Sequence, residues 1–441
     1  MTFSDLNLTT PLLNALDDLG FVNPTTIQQK VFSVMMSGKD VCGIAQTGTG
    51  KTYAYLLPCL RQWKFAKDRF PRILVVVPTR ELVIQVVEEV KKLTKYMNFT
   101  VVGVYGGVNM KPQAAAVEEG ADMIVATPGR LLDLAYNGSI RLKLINRLII
   151  DEVDEMLNLG FRTQLNNIFD MLPPKRQNLL FSATLTPDVE IIVNNFFDLP
   201  VKIEAAPTGT PLANINQTAY EVPNFYTKIN LLRLLLTQHE EMSKVLVFVG
   251  TKALADDVFE LVEPLFPGTA GVIHSNKEQN HRFNTVKQFH EGTYRFIIAT
   301  DIIARGLDIS EVTHVINFDL PDTPENYIHR IGRTGRYDKK GIAISFITEK
   351  EYQEAIETLM KYKIPMLPLP ADLEISEELT NDEKPKGHLK EIKLKLPKME
   401  DSGPAFHEKL AKNKKVNVKV KYSDVMKAKY GKPKKRAPKK R

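Results

Sequence analysis

The chain has 441 residues, 43% hydrophobic and 25% charged, a size and balance that suit two or three folded domains and exclude a chain disordered throughout. No apolar run approaches the ~18 residues of a membrane span, MTFSDLNLTT lacks the pattern of a signal peptide, and two cysteines, Cys42 and Cys59, exclude a disulfide framework and suit a reducing, cytoplasmic setting. The formal charge of +7 is unevenly placed: residues 402–441 hold 15 Lys and Arg against 2 Asp and Glu, net +13, and the other 401 residues hold 44 against 50, net −6.

Taken in chain order, short apolar runs alternate with amphipathic stretches over residues 40–205. Strands are expected at Val41–Ala45, Ile73–Val77, Val101–Tyr105, Met123–Thr127, Leu148–Asp151, Asn178–Ser182 and Val201–Glu204. Between them, Glu81–Met97 has helical spacing, with Leu82, Val86, Val90, Leu93 and Met97 on one face. Near-continuous apolar strands separated by helices imply a parallel sheet covered on both faces. Residues 205–216, AAPTGTPLANIN, read as a linker. The alternation then restarts, with strands expected at Val245–Val249, Gly271–His274, Phe296–Thr300, Val312–Phe318 and Ile342–Ile347. The fold class is therefore α/β: domains over 1–204 and 217–364, and from 365 to 441 a basic tail too poor in large apolar residues to order by itself.

The sharpest motif is AQTGTGKT, Ala45–Thr52, between an expected strand and an expected helix. It resembles a P-loop. The run Thr47, Gly48, Thr49, Gly50 turns backbone N–H groups toward phosphate, Lys51 reaches the β- and γ-phosphates, and the Thr52 hydroxyl suits Mg²⁺. The helix that follows offers its positive end to the same anion. A P-loop needs a carboxylate for its metal, and IIDEVDEM supplies Asp151 at a strand end, 100 residues after Lys51. Glu152 beside it is placed to take a proton from attacking water. The cofactors implied are ATP and Mg²⁺.

These motifs, with others in the same order, resemble the DEAD-box RNA helicases of superfamily 2, over residues 3 to about 350. The tandem domains are then expected to be RecA-like. The resemblance implies that Phe3 and Gln28, the latter in GFVNPTTIQ, bind the adenine. It implies RNA contacts at Pro78, Thr79 and Arg80 (PTRELVIQ), at Gly106 and Gly107, and at Thr127, Gly129 and Arg130 (TPGR). Asp154, Ser182 and Thr184 would couple the nucleotide site to domain closure. In the second domain it implies RNA contacts at Gln279 and Arg282 (HSNKEQNHR) and at Thr300 and Asp301 (ATDIIARGLDI). Asp308 would bind the ribose, and Arg305 would orient the closed interface. In HRIGRTGR, Arg333 and Arg336 would reach the γ-phosphate as arginine fingers, with His329 at the domain interface.

The chain departs from the family pattern at three places. Thr26 stands for a second Pro, Ser275 for Gly, and Val153 for Ala in the family's signature tetrapeptide, so that DEVD replaces DEAD. The two methyl groups that Val153 adds are expected to crowd the site and tune its rate, in an extended strand end that suits a β-branched residue.

The resemblance implies RNA-stimulated ATP hydrolysis and local unwinding of short duplexes or remodelling of RNA–protein complexes, by a monomeric core tolerant of RNA sequence. The alternative is an ATP-gated RNA clamp without productive unwinding. A DNA-directed relative and a P-loop kinase fit the motif set less well. A core with no added folded RNA-binding domain and a short basic tail looks like the bacterial RhlE-like branch, with a eukaryotic nucleolar relative as the alternative because KPKKRAPKKR also passes for a nuclear import signal, and the tail suits anchoring on ribosomal or RNA-decay particles.

Overall fold

The computed structural model describes residues 1–45, 49–68, 70–204, 214–239, 241–301, 309, 312–335, 340–348, 353–384 and 422–431, the side chains of 279, 422, 423 and 430 excepted. Residues 1–384 form one compact unit and 385–441 a second. The first unit carries two seven-stranded sheets. One is built from β1 (Val41–Ile44), β2 (Ile73–Val76), β3 (Val101–Val104), β4 (Met123–Ala126), β5 (Arg147–Ile150), β6 (Gln177–Ser182) and β7 (Val201–Glu204), in the order β3-β4-β2-β5-β6-β1-β7. The other is built from β8 (Ile215–Glu221), β9 (Val245–Phe248), β10 (Ala270–Ile273), β11 (Phe296–Ala299), β12 (His314–Asn317), β13 (Gly341–Ile347) and β14 (Met366–Leu367), in the order β10-β11-β9-β12-β13-β8-β14. Every strand pairing is parallel.

The packing follows from the strand period of two. In β2, Ile73 and Val75 face one apolar cluster and Leu74 and Val76 the other, so each face of the first sheet needs its own helical cover. Helices Thr26–Met36, Lys51–Arg61 and Arg80–Leu93 cover the first face, and Pro128–Tyr136, Val153–Asn158, Arg162–Met171 and Pro187–Phe196 the second. The helix expected at Glu81–Met97 runs Arg80–Leu93 and buries Val83, Val86, Val90 and Leu93, with Leu82 and Met97 only partly buried.

Two expected boundaries need correction. Ile215 and Asn216 belong to β8 rather than to a linker, where Ile215 pairs with Gly341 and Asn216 with Ile342. The rest of 205–216, apart from Asn214, lies outside the described residues. The packed body also extends past 365. β14 pairs with β8, Leu369 and Leu373 pack on the second sheet's core, and Asn224 Nδ2 donates to the Ser376 carbonyl at 2.6 Å. The Phe225 N–H donates to Glu383 Oε1 at 2.7 Å, fastening the segment at the start of helix Phe225–Gln238. In 385–441 the described structure is one helix, Tyr422–Tyr430, with Asp424–Lys429 exposed.

Candidate active site

Strand order creates the site. With β5-β6-β1 adjacent, the turn after Ile44 and the acids after Ile150 open on one sheet edge, separated by a single strand that ends in Ser182. Lys51 begins its helix directly after Gly50, whose φ of +87° is a glycine conformation. A Cβ on Gly50 would also stand 2.5 Å from the Gln28 amide nitrogen. Lys51 is 6% exposed, and its Nζ has no hydrogen-bond partner among the described residues. The charge of this buried ammonium acts on Asp151, Glu152 and Asp154, and an ammonium at a helix start suits an anion.

Asp151 follows directly on β5, and its Oδ1 accepts the Glu152 N–H at 2.9 Å. Burial pushes Asp151 above the usual carboxylate range, against the pull of the Lys51 charge. Glu152 stands at φ +54°, ψ +48°, left-handed backbone that costs a non-glycine residue of order 1–3 kcal/mol. That bend lies between the strand, which ends at Ile150, and helix Val153–Asn158, and leaves Glu152 buried. Burial pushes its carboxyl up to about 7, with Asp151 repelling in the same sense and Lys51, Arg333 and His329 opposing. The donor set suits Mg²⁺: an alcohol from Thr52 and carboxylate oxygen are hard ligands, and a magnesium ion keeps waters and phosphate oxygens rather than needing an all-protein cage. Among the described residues no group of three or more His, Cys, Asp and Glu forms such a cage.

Val153 corrects an expectation. It is the first residue of helix Val153–Asn158, fully buried in the apolar cluster with Met156 and Leu180, and its methyls point into the core rather than crowd the site.

Asp154 gathers the next layer. Its Oδ2 accepts the N–H groups of Ala183 and Thr184 at 3.1 and 3.0 Å and the Thr184 hydroxyl at 3.0 Å. The Ser182 hydroxyl donates to the Thr184 carbonyl at 2.6 Å, tightening this turn after β6. His329, on helix Pro324–Ile331 beside the second sheet, sets its Nε2 3.7 Å from both Asp154 Oδ2 and Glu155 Oε1. Burial opposes charge on Asp154, but the His329 contact, the Lys51 charge and the Thr184 hydroxyl outweigh it and hold the carboxyl well below its usual range. Arg333 is 4% exposed, and its charge acts on Glu152.

The residues expected at the adenine have partners within the fold. Gln28 Oε1 accepts the Thr25 N–H at 2.9 Å, and its Nε2 donates to the Gly50 carbonyl at 3.2 Å. The amide thus caps its own helix and braces the P-loop. Thr25, which sequence reasoning passed over, donates its hydroxyl to the Thr49 carbonyl at 2.9 Å; the T-x-x-Q capping box was the signal for it. Phe3 is 5% exposed and packed in the apolar cluster.

The other expected residues line the β3-β4-β2 part of the same edge. Pro78 is buried, and Thr79 caps helix Arg80–Leu93 by accepting the Leu82 N–H at 3.3 Å. Arg80 Nε lies 3.1 Å from Glu81 Oε1, and a Cβ on Gly107 (φ +80°) would meet Arg80 Nη1 at 3.2 Å. Gly106 has open space where a Cβ would be. Thr127 stands at the N-cap position of helix Pro128–Tyr136, which holds Gly129 and Arg130. Arg130 donates to Gln113 Oε1 and to the Val108 carbonyl, each at 2.8 Å, and so ties down the Gly106–Gly107 loop. From the second sheet, Arg282 Nη2 comes within 3.5 Å of the same Glu81 oxygen.

Thr300 is buried after β11. Both carboxylate oxygens of Asp301 accept from Arg330, at 2.5 and 2.8 Å, so the acid also holds an arginine within the fold. Arg330 is 1% exposed, also donates to Asn317 Oδ1 and to the Asp319 carbonyl, and lies over the Phe248 ring. Glu81 and Arg330 are the other residues that sequence reasoning missed. Thr47, Gly48, Arg305, Asp308, Arg336 and the Gln279 side chain lie outside the described residues.

Comparisons with known proteins agree with this geometry. The DEAD/DEAH box helicase family model matches residues 25–192, and the helicase conserved C-terminal domain matches residues 227–338. The chain is 40% identical to the DEAD-box ATP-dependent RNA helicase CshA of Bacillus subtilis, over 82% of this chain and 73% of that protein. It is 38% identical to the DEAD-box ATP-dependent RNA helicase RhpA of Helicobacter pylori, over 80% and 71%. Among solved structures it resembles S. cerevisiae Dbp5 bound to RNA and ADP BeF3, with a TM-score of 0.76, 28% identity, and 83% of this chain and 95% of that one covered. It likewise resembles Mss116p bound to ssRNA and AMP-PNP, with a TM-score of 0.77, 26% identity and coverage of 84% and 80%.

Proposed function

Given that the chain belongs to the DEAD-box ATP-dependent RNA helicases, we propose that it couples RNA-stimulated ATP hydrolysis to local disruption of short RNA duplexes or RNA–protein contacts. One observation carries this reading: Lys51, Asp151 and Glu152 meet Arg333 and His329 in a single buried cluster drawn from both sheets. In this reading Lys51 binds the phosphates, and Thr52 and Asp151 hold Mg²⁺, which neutralises phosphate charge and orients the leaving group. Glu152 takes the proton of the attacking water. Arg333, with Arg336, offsets charge that develops on the γ-phosphoryl, an effect worth about 10³–10⁵ in rate in P-loop enzymes.

RNA enters as the switch. Arg80, Arg130 and Arg282 lie on the edge expected to carry RNA phosphates, and such backbone contacts are indifferent to base sequence. Ligand bound across both sheets stabilises the arrangement that brings His329 to Asp154, and hydrolysis releases it. The basic tail, net +13, is read as an electrostatic anchor on structured RNA or on ribosomal or RNA-decay particles, and the core as a cytoplasmic monomer. Strand displacement tests the reading: a short RNA duplex should separate with ATP and not without it. ATP-dependent retention of RNA with no strand separation would replace the helicase reading with that of a clamp.

A further inference from the structure

Tyr55 is a fully buried residue that the mechanism above leaves unused. It lies one helical turn after Lys51 and shares that residue's face of helix Lys51–Arg61. Its ring is fixed by packing, with the Phe181 ring centroid 5.3 Å away at an interplanar angle of 48°. Phe181 in turn sits down on β1 because residue 43 is glycine; a Cβ there would stand 2.7 Å from the Phe181 ring. Among the described residues the hydroxyl has no hydrogen-bond partner of normal geometry. The polar groups bearing on it are the Thr52 hydroxyl and the Asp151 carboxylate, the two read as metal holders.

Burying a hydroxyl whose polar neighbours are poorly aligned is destabilising, and phenylalanine would fill the same ring space without that cost. The chemistry of the neighbours supplies a use for it. When Thr52 Oγ1 faces a cation, its proton needs an acceptor. Ionised Asp151 only accepts, whereas a tyrosine hydroxyl accepts and donates at once. We propose that Tyr55 is a positioning residue of the metal–nucleotide site, its hydroxyl linking Thr52 to Asp151 in one hydrogen-bond chain that closes when Mg²⁺ and nucleotide bind. The chain fixes the rotamers of both metal-holding groups without touching the metal. This inference rests on the nucleotide-site reading above.

Tyr55→Phe tests it, since the change removes the hydroxyl and keeps the ring. ADP affinity is measured with a fluorescent analogue across a Mg²⁺ series and in excess EDTA, on the full chain. The expected result is a roughly three- to tenfold rise in the Mg²⁺ concentration needed for half of the Mg²⁺-dependent gain in affinity, the size of one net hydrogen bond, with affinity in EDTA unchanged. An unchanged Mg²⁺ dependence overturns the proposal. So does an equal loss with and without Mg²⁺, which would make Tyr55 a packing residue. If the unmutated chain shows no Mg²⁺-dependent binding at all, the nucleotide-site reading itself fails and the inference with it.

Discussion

His329 Nε2 stands 3.7 Å from Asp154 Oδ2, with the two side chains 2% and 3% exposed. Asp154 is held to the turn after β6 by three hydrogen bonds, so this contact ties the phosphate-proximal edge of the first sheet to a helix of the second. Replacing His329 by Ala removes the tie and leaves the residues around Lys51 in place. ADP affinity should stay within about twofold, while RNA-stimulated turnover falls at least about tenfold, an effect of roughly 1.4 kcal/mol. Equilibrium nucleotide binding and steady-state hydrolysis on one preparation check both halves.

Asp154 itself carries a pH signature. Its folded pKa is depressed below the ordinary value of 3.8, so its contribution to stability is present above that value and is lost as pH falls through the folded one. Asp154→Asn should therefore lower Tm at pH 7, and the deficit should shrink in acid below about pH 4. Melting curves across that range are the measurement.

Glu152 behaves in the opposite sense. Its pKa rises from 4.5 to about 7 on folding, so the folded protein favours the protonated form, and ionisation costs stability as pH rises through that window. Glu152→Gln should be more stable than the parent at pH 8, by on the order of 3 kcal/mol for a shift of this size, and equal to it below pH 4.5. The same group governs rate. ATP hydrolysis should fall as pH drops through about 7, because the protonated carboxyl cannot accept a proton from water.

At Val153 the expectation is structural. Val153→Ala deletes two buried methyls and leaves a small cavity beside Met156, so stability should fall by about 1–2 kcal/mol. ATP hydrolysis should stay within about twofold, since the methyls point away from the cleft. Denaturant unfolding paired with an activity assay separates these outcomes. A large gain in turnover would mean that the valine does crowd the site.

The tail prediction is electrostatic. Removing residues 402–441, which carry a net +13, should flatten the fall of log RNA affinity with log salt and leave turnover at saturating RNA unchanged. Salt titrations of RNA binding on the two chains check it.

What the sequence made legible was the chemistry that fixes residue type. Phosphate demands the glycines and Lys51, and a metal demands an acid at a strand end, so Asp151 could be read directly. β8 was missed because its burial alternates and it carries Gln217 into the core, where Tyr327 Oη donates to it at 3.2 Å; a search for continuous apolar runs passes over such a strand. The pairing of Asp301 with Arg330 was not legible for a related reason. An arginine-rich motif does not reveal which guanidinium is spent inside the fold on an acid and which faces the cleft, because both share one helix and its end. Val153 was placed in a strand end because the bend at Glu152, a non-glycine residue at positive φ, leaves no mark in the sequence.

The central claim is that RNA assembles the hydrolytic site from both sheets. It is tested most directly by ATP hydrolysis with and without single-stranded RNA, for the parent chain and for Glu152→Gln. The account predicts strong stimulation of the parent by RNA and, in the variant, a loss of about 10²–10⁴ in the stimulated rate with ATP binding retained. Hydrolysis indifferent to RNA, or a Glu152→Gln chain as fast as the parent, would contradict it.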